Sequence, residues 1–462
     1  MILKNIKIYQ NGLIRKGTLF ISNGIIKSIA FDTNDKDLKK IAEKNDDGIE
    51  INCKNKLILP GIIDIHSHLR DMGQSEKETF LTGTQAAAFS GITTVFNMPN
   101  TKPPAITAEH VLKWMDKAKN NTFVNVCFIA GVPENMDEIE LKKIIELGVI
   151  GFKIYPLKSL NGIDWTDPKN IQKLLKFSSK YQIPIFIHPD WSLSDEEKTQ
   201  IYENLIQKKL NNLEIHDNLY PIEMEAKYVK FMLDSYVNTI SENNLSLNNY
   251  PLIHFCHISS QYSYILIKDI LELNINYKIS FEITPHHLLL SKKVNLKNPN
   301  IGKVLPPLRD KEENQFLYNE LKNGNIKLIG TDHAPHRIEE KSKDYLEAPS
   351  GFPGFETYPL LLLDKVCRYE LSLENFIKAA SENPSKIFNL KNKGFIKEGY
   401  DADLMIVDKI PEYPINPKLF KTKAKFSPFK NYKTSVQIWK VFLNGKEINS
   451  ESSEPVGKII KS

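Results

Sequence analysis

The chain has 462 residues, 41% hydrophobic and 25% charged, a globular mix long enough for a large core and more than one unit. Its 61 Lys and Arg against 56 Asp and Glu leave a net charge of +5, and no basic block with interleaved aromatics marks a nucleic-acid surface. No window reaches the ~18 consecutive apolar residues of a membrane helix. The N-terminus lacks a signal-peptide core, and Cys53, Cys127, Cys256 and Cys367 form no CxxC pair, so a soluble, cytoplasmic protein is expected.

The first ~55 residues read as short strands joined by turns. Ile6–Tyr9 precedes Asn11-Gly12 and Thr18–Ile21 precedes Asn23-Gly24, both hairpin signals. The texture then changes to alternating strands and helices, which implies a parallel sheet. Eight strands are expected, at 58–66, 93–98, 124–130, 151–155, 183–188, 252–257, 278–284 and 326–330, with helices such as 108–118, 136–147, 171–179 and 223–235 between them. Eight βα units predict an α/β fold built on a (β/α)8 TIM barrel over 57–392. No strand ends in a GxGxxG phosphate turn, which argues against a doubly wound sheet. The tail returns to strand texture at 402–407 and 436–443, the latter turning at Asn444-Gly445. Residues 1–56 and 393–462 are therefore expected to build one small β unit, a sandwich.

The chemistry gathers at the expected strand ends, which line the active face of such a barrel. His66-Ser67-His68 ends the first strand, and residues i and i+2 of a strand share a face. Lys153 lies in the fourth strand, His188 ends the fifth, His257 ends the sixth, and Asp332 follows the eighth. A single buried histidine is most often a packed core residue, but that explanation would have to hold separately at each position. Imidazoles suit zinc, and a pair of ions needs a bridging ligand. A strand lysine is ordinarily one half of a buried ion pair. Here the alternative is a lysine neutralised by burial and carbamylated, which turns a cation into a bridging carboxylate.

These residues sit in motifs that resemble the dihydroorotases of the cyclic amidohydrolase superfamily. His66-Ser67-His68-Leu69-Arg70-Asp71 resembles the family's HxHLRD, and Asn97-Met98-Pro99-Asn100-Thr101 its MPNT element. Gly91-Ile92-Thr93-Thr94 is similar to its GGxTT, with Ser90 for the first glycine. Thr284-Pro285-His286-His287-Leu288, Pro306-Pro307-Leu308-Arg309, Asp332-His333-Ala334-Pro335-His336, Gly354-Phe355-Glu356-Thr357 and Ala402-Asp403-Leu404 also match. The resemblance implies two zinc ions. His66 and His68 would hold one with Asp332, and His188 and His257 the other, with carbamylated Lys153 bridging. Asp332 would also carry the proton in catalysis, while Arg70, Asn100 and His336 would hold a substrate carboxylate. The implied reaction is the reversible cyclisation of N-carbamoyl-L-aspartate to dihydroorotate in pyrimidine biosynthesis. The implied partner is a small-molecule substrate, with a homodimer or an association with aspartate transcarbamoylase left open.

The chain departs from the family pattern at three places. Leu305 replaces an asparagine before Pro-Pro-Leu-Arg, Pro189-Asp190-Trp191 replaces Ala-Glu, and Tyr220-Pro221 replaces Arg-Pro. These bear on ring recognition and keep open an allantoinase- or hydantoinase-like amidase. A non-catalytic scaffold of the same fold is disfavoured by the complete ligand set. His254 is expected to face away from His257, His286 and His287 to stand behind the site, and Cys256 to be a packing residue. The charged segment 337–350 reads either as a solvated loop, the more common explanation, or as a mobile loop over the site.

Overall fold

The computed structural model describes residues 1–31 and 48–462; residues 32–47 of the expected N-terminal segment lie outside the described residues. Two eight-stranded sheets organise the chain. One is terminal. Ile2–Gln10, Leu13–Ser22 and Ile25–Phe31 form antiparallel hairpins, and their turns, Asn11-Gly12 and Asn23-Gly24, have positive φ throughout, as two-residue hairpin loops require. Leu404–Pro414, Lys433–Leu443 and Lys446–Glu447 supply the other half, with a third such turn at Asn444-Gly445.

The two ends of the chain meet on Leu57–Pro60. This strand runs antiparallel to Leu404–Pro414 on one side and parallel to Ile2–Gln10 on the other. The single strand expected over 58–66 is therefore two, Leu57–Pro60 in the terminal sheet and Ile62–Ser67 in the parallel one. Both halves are apolar because both sheets are buried there, so the sequence reads as one run. The chain crosses between the sheets at Gly61, where a Cβ would lie 2.3 Å from Thr93 Oγ1, leaving no room for a side chain.

The second sheet carries seven parallel strands in sequential order: Ile62–Ser67, Ile92–Asn97, Asn125–Gly131, Gly151–Ile154, Ile185–Ile187, Ile253–Phe255 and Ile279–Phe281. The eighth expected strand joins by bridges alone, Ile283 with Ile329 and Ser67 with His333, and these link the last strand of the series to the first. Helices follow most strands, among them Phe80–Phe89, Ala108–Ala118, Glu138–Glu146, Pro168–Tyr181 and Ile222–Glu242. Two further helices, Asp195–Gln207 and Asn212–Leu219, intervene after the fifth strand.

The tail does not stay with the terminal sheet. Ile459–Ile460 pairs in parallel with Val126 and Cys127, along the part of the third strand that precedes its pairing with the fourth. No helix among the described residues is long and apolar enough to cross a membrane.

Candidate active site

The strand ends converge on a cavity of about 360 Å³ whose lining includes His66, His68, Arg70, Asn100, Tyr155, His188, His257, Leu305, Asp332 and His336. Lys153 is buried beneath it, and its charge acts on His66, His188 and His257. All the sequence-derived site residues thus meet in one place. Three of them, Arg70 (φ 59°), His257 (φ 37°) and Asp332 (φ 48°), hold left-handed backbone conformations without being glycine. Each such residue costs about 1–2 kcal/mol, strain that the surrounding packing must offset.

One face of the cavity carries His66, His68 and Asp332, whose ligand atoms all lie within 4.8 Å of one another. Asp332 Oδ1 is 3.1 Å from His68 Nε2 and 3.5 Å from His66 Nε2. Both Nδ1 atoms are occupied: that of His66 faces Glu282 Oε1, and that of His68 lies 2.6 Å from Asn100 Oδ1. A neutral His68 that donates to Asn100 presents its Nε2 lone pair to a carboxylate, so two acceptors face each other. Burial favours that neutral form, pushing the His68 pKa down to about 4. A cation placed between two such acceptors resolves the conflict. Burial alone would raise the pKa of Asp332, but the imidazoles of His68 and His66 beside it hold it well below the usual carboxylate range.

His188 and His257 stand beside this group, with ring centroids 4.5 Å apart and the His257 ring 5.1 Å from that of His66. His188 Nε2 and His257 Nδ1 are buried without a hydrogen-bond partner among the described residues. Burial pushes His188 down to about 3, aided by the Lys153 charge, and His257 well below its ordinary value. Buried neutral imidazoles with unspent nitrogens form a donor set that suits a divalent metal ion. Lys153 Nζ lies 2.7 Å from Cys256 Sγ and has no carboxylate partner among the described residues, so the expected alternative of a buried ion pair is absent there.

Arg70 is buried; among the described residues its Nε donates to Pro335 O at 3.3 Å and its guanidinium approaches His336 Nε2 at 3.2 Å. Lys77 Nζ donates to His336 Nδ1 at 3.1 Å, so His336 Nε2 carries the proton and donates to Ser350 O at 3.0 Å. Burial, with the charges of Arg70 and Lys77, keeps His336 neutral.

Sequence reasoning missed two residues. Glu282, fully buried, faces His66 Nδ1 with one oxygen and accepts from His254 Nε2 at 3.1 Å with the other. Its signal was a lone acid just past the short strand Ile279–Phe281, between Phe281 and Ile283. Tyr155 places its ring 6.1 Å from that of His188, and its buried hydroxyl has no partner among the described residues. His254 is a buried, hydrogen-bonded histidine, its Nδ1 2.9 Å from Ser280 Oγ and its ring against Phe186 and Phe388, while the His257 ring meets those of His66 and His188. The strand ends at Phe255 and His257 turns to φ 37°, so the His257 backbone N–H also reaches Glu282, at 3.3 Å. His287 buttresses the wall through Thr284 and the carbonyls of Pro306 and Pro307.

Residues 57–448 match the model of the amidohydrolase family. The chain is 34% identical to a dihydroorotase of Methanosphaera stadtmanae over 435 residues, covering 93% of this chain and 92% of that one. It is also 34% identical to a dihydroorotase of Pyrococcus abyssi over 458 residues (98% and 95%), and 32% to one of Bacillus cereus over 441 (94% and 96%). Among solved structures it superposes on the L-hydantoinase of Arthrobacter aurescens with a TM-score of 0.86 at 23% identity, over 100% of this chain and 99% of that one. A parallel sheet with imidazoles, a lysine and an aspartate at its strand ends and a family match over most of the chain lead to one conclusion: this chain belongs to the amidohydrolase family.

Proposed function

We propose that this chain is a zinc-dependent dihydroorotase, interconverting dihydroorotate and N-carbamoyl-L-aspartate in pyrimidine biosynthesis. The curated relatives support the reaction, and Arg70 carries the substrate. A buried guanidinium with no carboxylate partner among the described residues, opening on the cavity two residues from His68, suits bidentate binding of a substrate carboxylate. Asn100 and His336 complete that subsite.

His66, His68 and Asp332 would hold one zinc and His188 and His257 the second, with carbamylated Lys153 between them. When bound, such a pair activates water at neutral pH and polarises the scissile carbonyl. The chain's own residues do the rest. Arg70 and His336 fix the ring so that its amide carbonyl faces Asp332. In hydrolysis, water adds to that carbonyl and the ring C–N bond breaks. Asp332, ionised at neutral pH, takes the proton from the attacking water and delivers it to the leaving nitrogen. Ring closure runs the same steps backwards and releases water.

The ring formed by the seven parallel strands and residues 326–333 is read as a (β/α)8 barrel spanning 57–392. Residues 1–56 and 393–462 are read as its smaller sandwich unit, extended by Leu57–Pro60 up to the crossover at Gly61 and without Ile459–Ile460, which pairs in the parallel sheet. Four free cysteines fit a cytoplasmic enzyme.

Ultraviolet assay of the zinc-loaded protein should show interconversion of dihydroorotate and carbamoyl-aspartate. Turnover of hydantoin or allantoin instead would transfer the reading to a cyclic amidase on another ring, which the apolar Leu305 in the cavity wall favours. Mass spectrometry of the intact Lys153 peptide tests the carbamate, and Lys153→Ala should abolish turnover. Size-exclusion chromatography, alone and with aspartate transcarbamoylase, tests the oligomer and the partner.

A further inference from the structure

The segment 337–350, expected as a charged loop, is fastened from beneath by two lysines. Lys341 is fully buried, and its three N–H donors are all spent on backbone carbonyls: Pro349 O at 2.8 Å, Gly351 O at 3.0 Å and Lys303 O at 3.1 Å. Lys303, also buried, sends its ammonium the other way, to Tyr345 O and Ala348 O, both at 2.6 Å. Gly351 N closes the circuit by donating to Lys303 O at 2.9 Å. Neither lysine has a carboxylate ion-pair partner among the described residues; backbone carbonyls take their donors, and the Tyr345 ring lies 4.3 Å from Lys303 Nζ.

Filling space alone would be achieved more cheaply by an apolar side chain, since a buried cation loses its hydration. What two ammonium groups add is direction, because each fixes the carbonyls it touches. Those carbonyls flank Ser350 and Gly351, which line the cavity, and Ser350 O is the acceptor for His336 Nε2. The other end of the circuit, Lys303, stands two residues before Leu305 on the same wall. A Cβ on Gly351 would sit 2.7 Å from Ala334 O, so the loop seats directly against the segment that carries His336.

We propose that Lys341 and Lys303 form a latch that positions the substrate-pocket wall, holding Ser350 against His336 and Leu305 at the cavity, so that they set how tightly the substrate is bound. Both are positioning residues, acting through His336 and Leu305 rather than touching the reacting atoms. The inference rests on the cavity being the dihydroorotate site.

The test is Lys341→Met, close in length and without donors, with Lys303→Met as the second variant. In the zinc-loaded enzymes, KM for dihydroorotate should rise about tenfold or more while kcat stays within about threefold and zinc content is unchanged. Hydrogen exchange at residues 344–351 should be faster in both variants than in the parent. An unchanged KM with only a lowered Tm would overturn the latch and leave a merely structural role. If Lys341→Met does not fold, Lys303→Met is judged by the same criteria. If the parent does not turn over dihydroorotate, the functional reading falls by itself. The latch is then decided by hydrogen exchange, and equal exchange in parent and variant would refute it.

Discussion

Glu282 and His66 are joined beneath the cavity, a carboxylate oxygen against Nδ1, while the other oxygen of the same carboxylate takes a hydrogen bond from His254. Burial disfavours charge on both, yet their pairing reverses this: His66 is pushed up to about 10 and Glu282 is held below its ordinary value. With Nδ1 committed to Glu282, His66 can offer only Nε2 to the Asp332 side. Glu282→Gln, which keeps the shape and removes the charge, should therefore lower metal affinity by about 10- to 100-fold. Zinc titration by mass spectrometry against a competing chelator measures it.

Arg70→Lys keeps the charge and loses the planar fork. If the guanidinium holds a substrate carboxylate, kcat/KM for dihydroorotate should fall about 10- to 100-fold, carried mainly by KM. Steady-state kinetics decide it, and an unchanged KM would remove Arg70 from the substrate subsite.

Stripping the protein with a strong chelator should abolish turnover and lower Tm, and added zinc should restore both. A ligand at 100 times its Kd stabilises the folded state by about 2.7 kcal/mol, so the melting curve should report zinc directly. Calorimetry of stripped and reloaded protein makes the comparison.

Away from the cavity, Glu356 accepts from the backbone N–H groups of Lys421 and Thr422, and burial pushes its pKa up to about 7. A carboxyl raised in the folded state binds a proton that the unfolded chain has already released. Its contribution is fully present below the unfolded value and is lost as pH rises towards about 7. Glu356→Gln imitates the protonated form, so its Tm relative to the parent should climb across that window. A difference that stays constant with pH would count against the shift.

Ile460 packs against the cluster that includes Ile63, Phe96 and Phe186. Ile460→Ala should cost about 1–2 kcal/mol, as expected for a partly buried aliphatic side chain. Urea unfolding gives the number.

The strand ends were legible because parallel βα units place their chemistry just past each strand, so His66, Lys153, His188, His257 and Asp332 could be picked out one by one. The three Asn-Gly hairpins were equally plain, since few other dipeptides accept two successive positive φ angles. Other features carried no local signal. The break at Gly61 hides inside a continuous apolar run, because Leu57–Pro60 and Ile62–Ser67 are buried in different sheets. The positive φ of His257 departs from strand geometry and brings its backbone N–H to the same carboxylate that holds His254. Lys341 reads as one more charge in a charged loop, and only its three carbonyl partners distinguish it.

The pairing of Ile459 and Ile460 with Val126 and Cys127 also has a consequence for synthesis. The companion contact of Asn125 Oδ1 with Lys458 N spans 333 residues. At about 5–20 residues per second, the third parallel strand leaves the ribosome roughly 15 to 70 s before the segment that completes its edge. For that interval the nascent chain carries an apolar strand with unpaired N–H and C=O groups, open to pairing with a neighbouring chain. Slower translation or crowded polysomes should therefore favour aggregation of this protein more than of a barrel whose strands close in order.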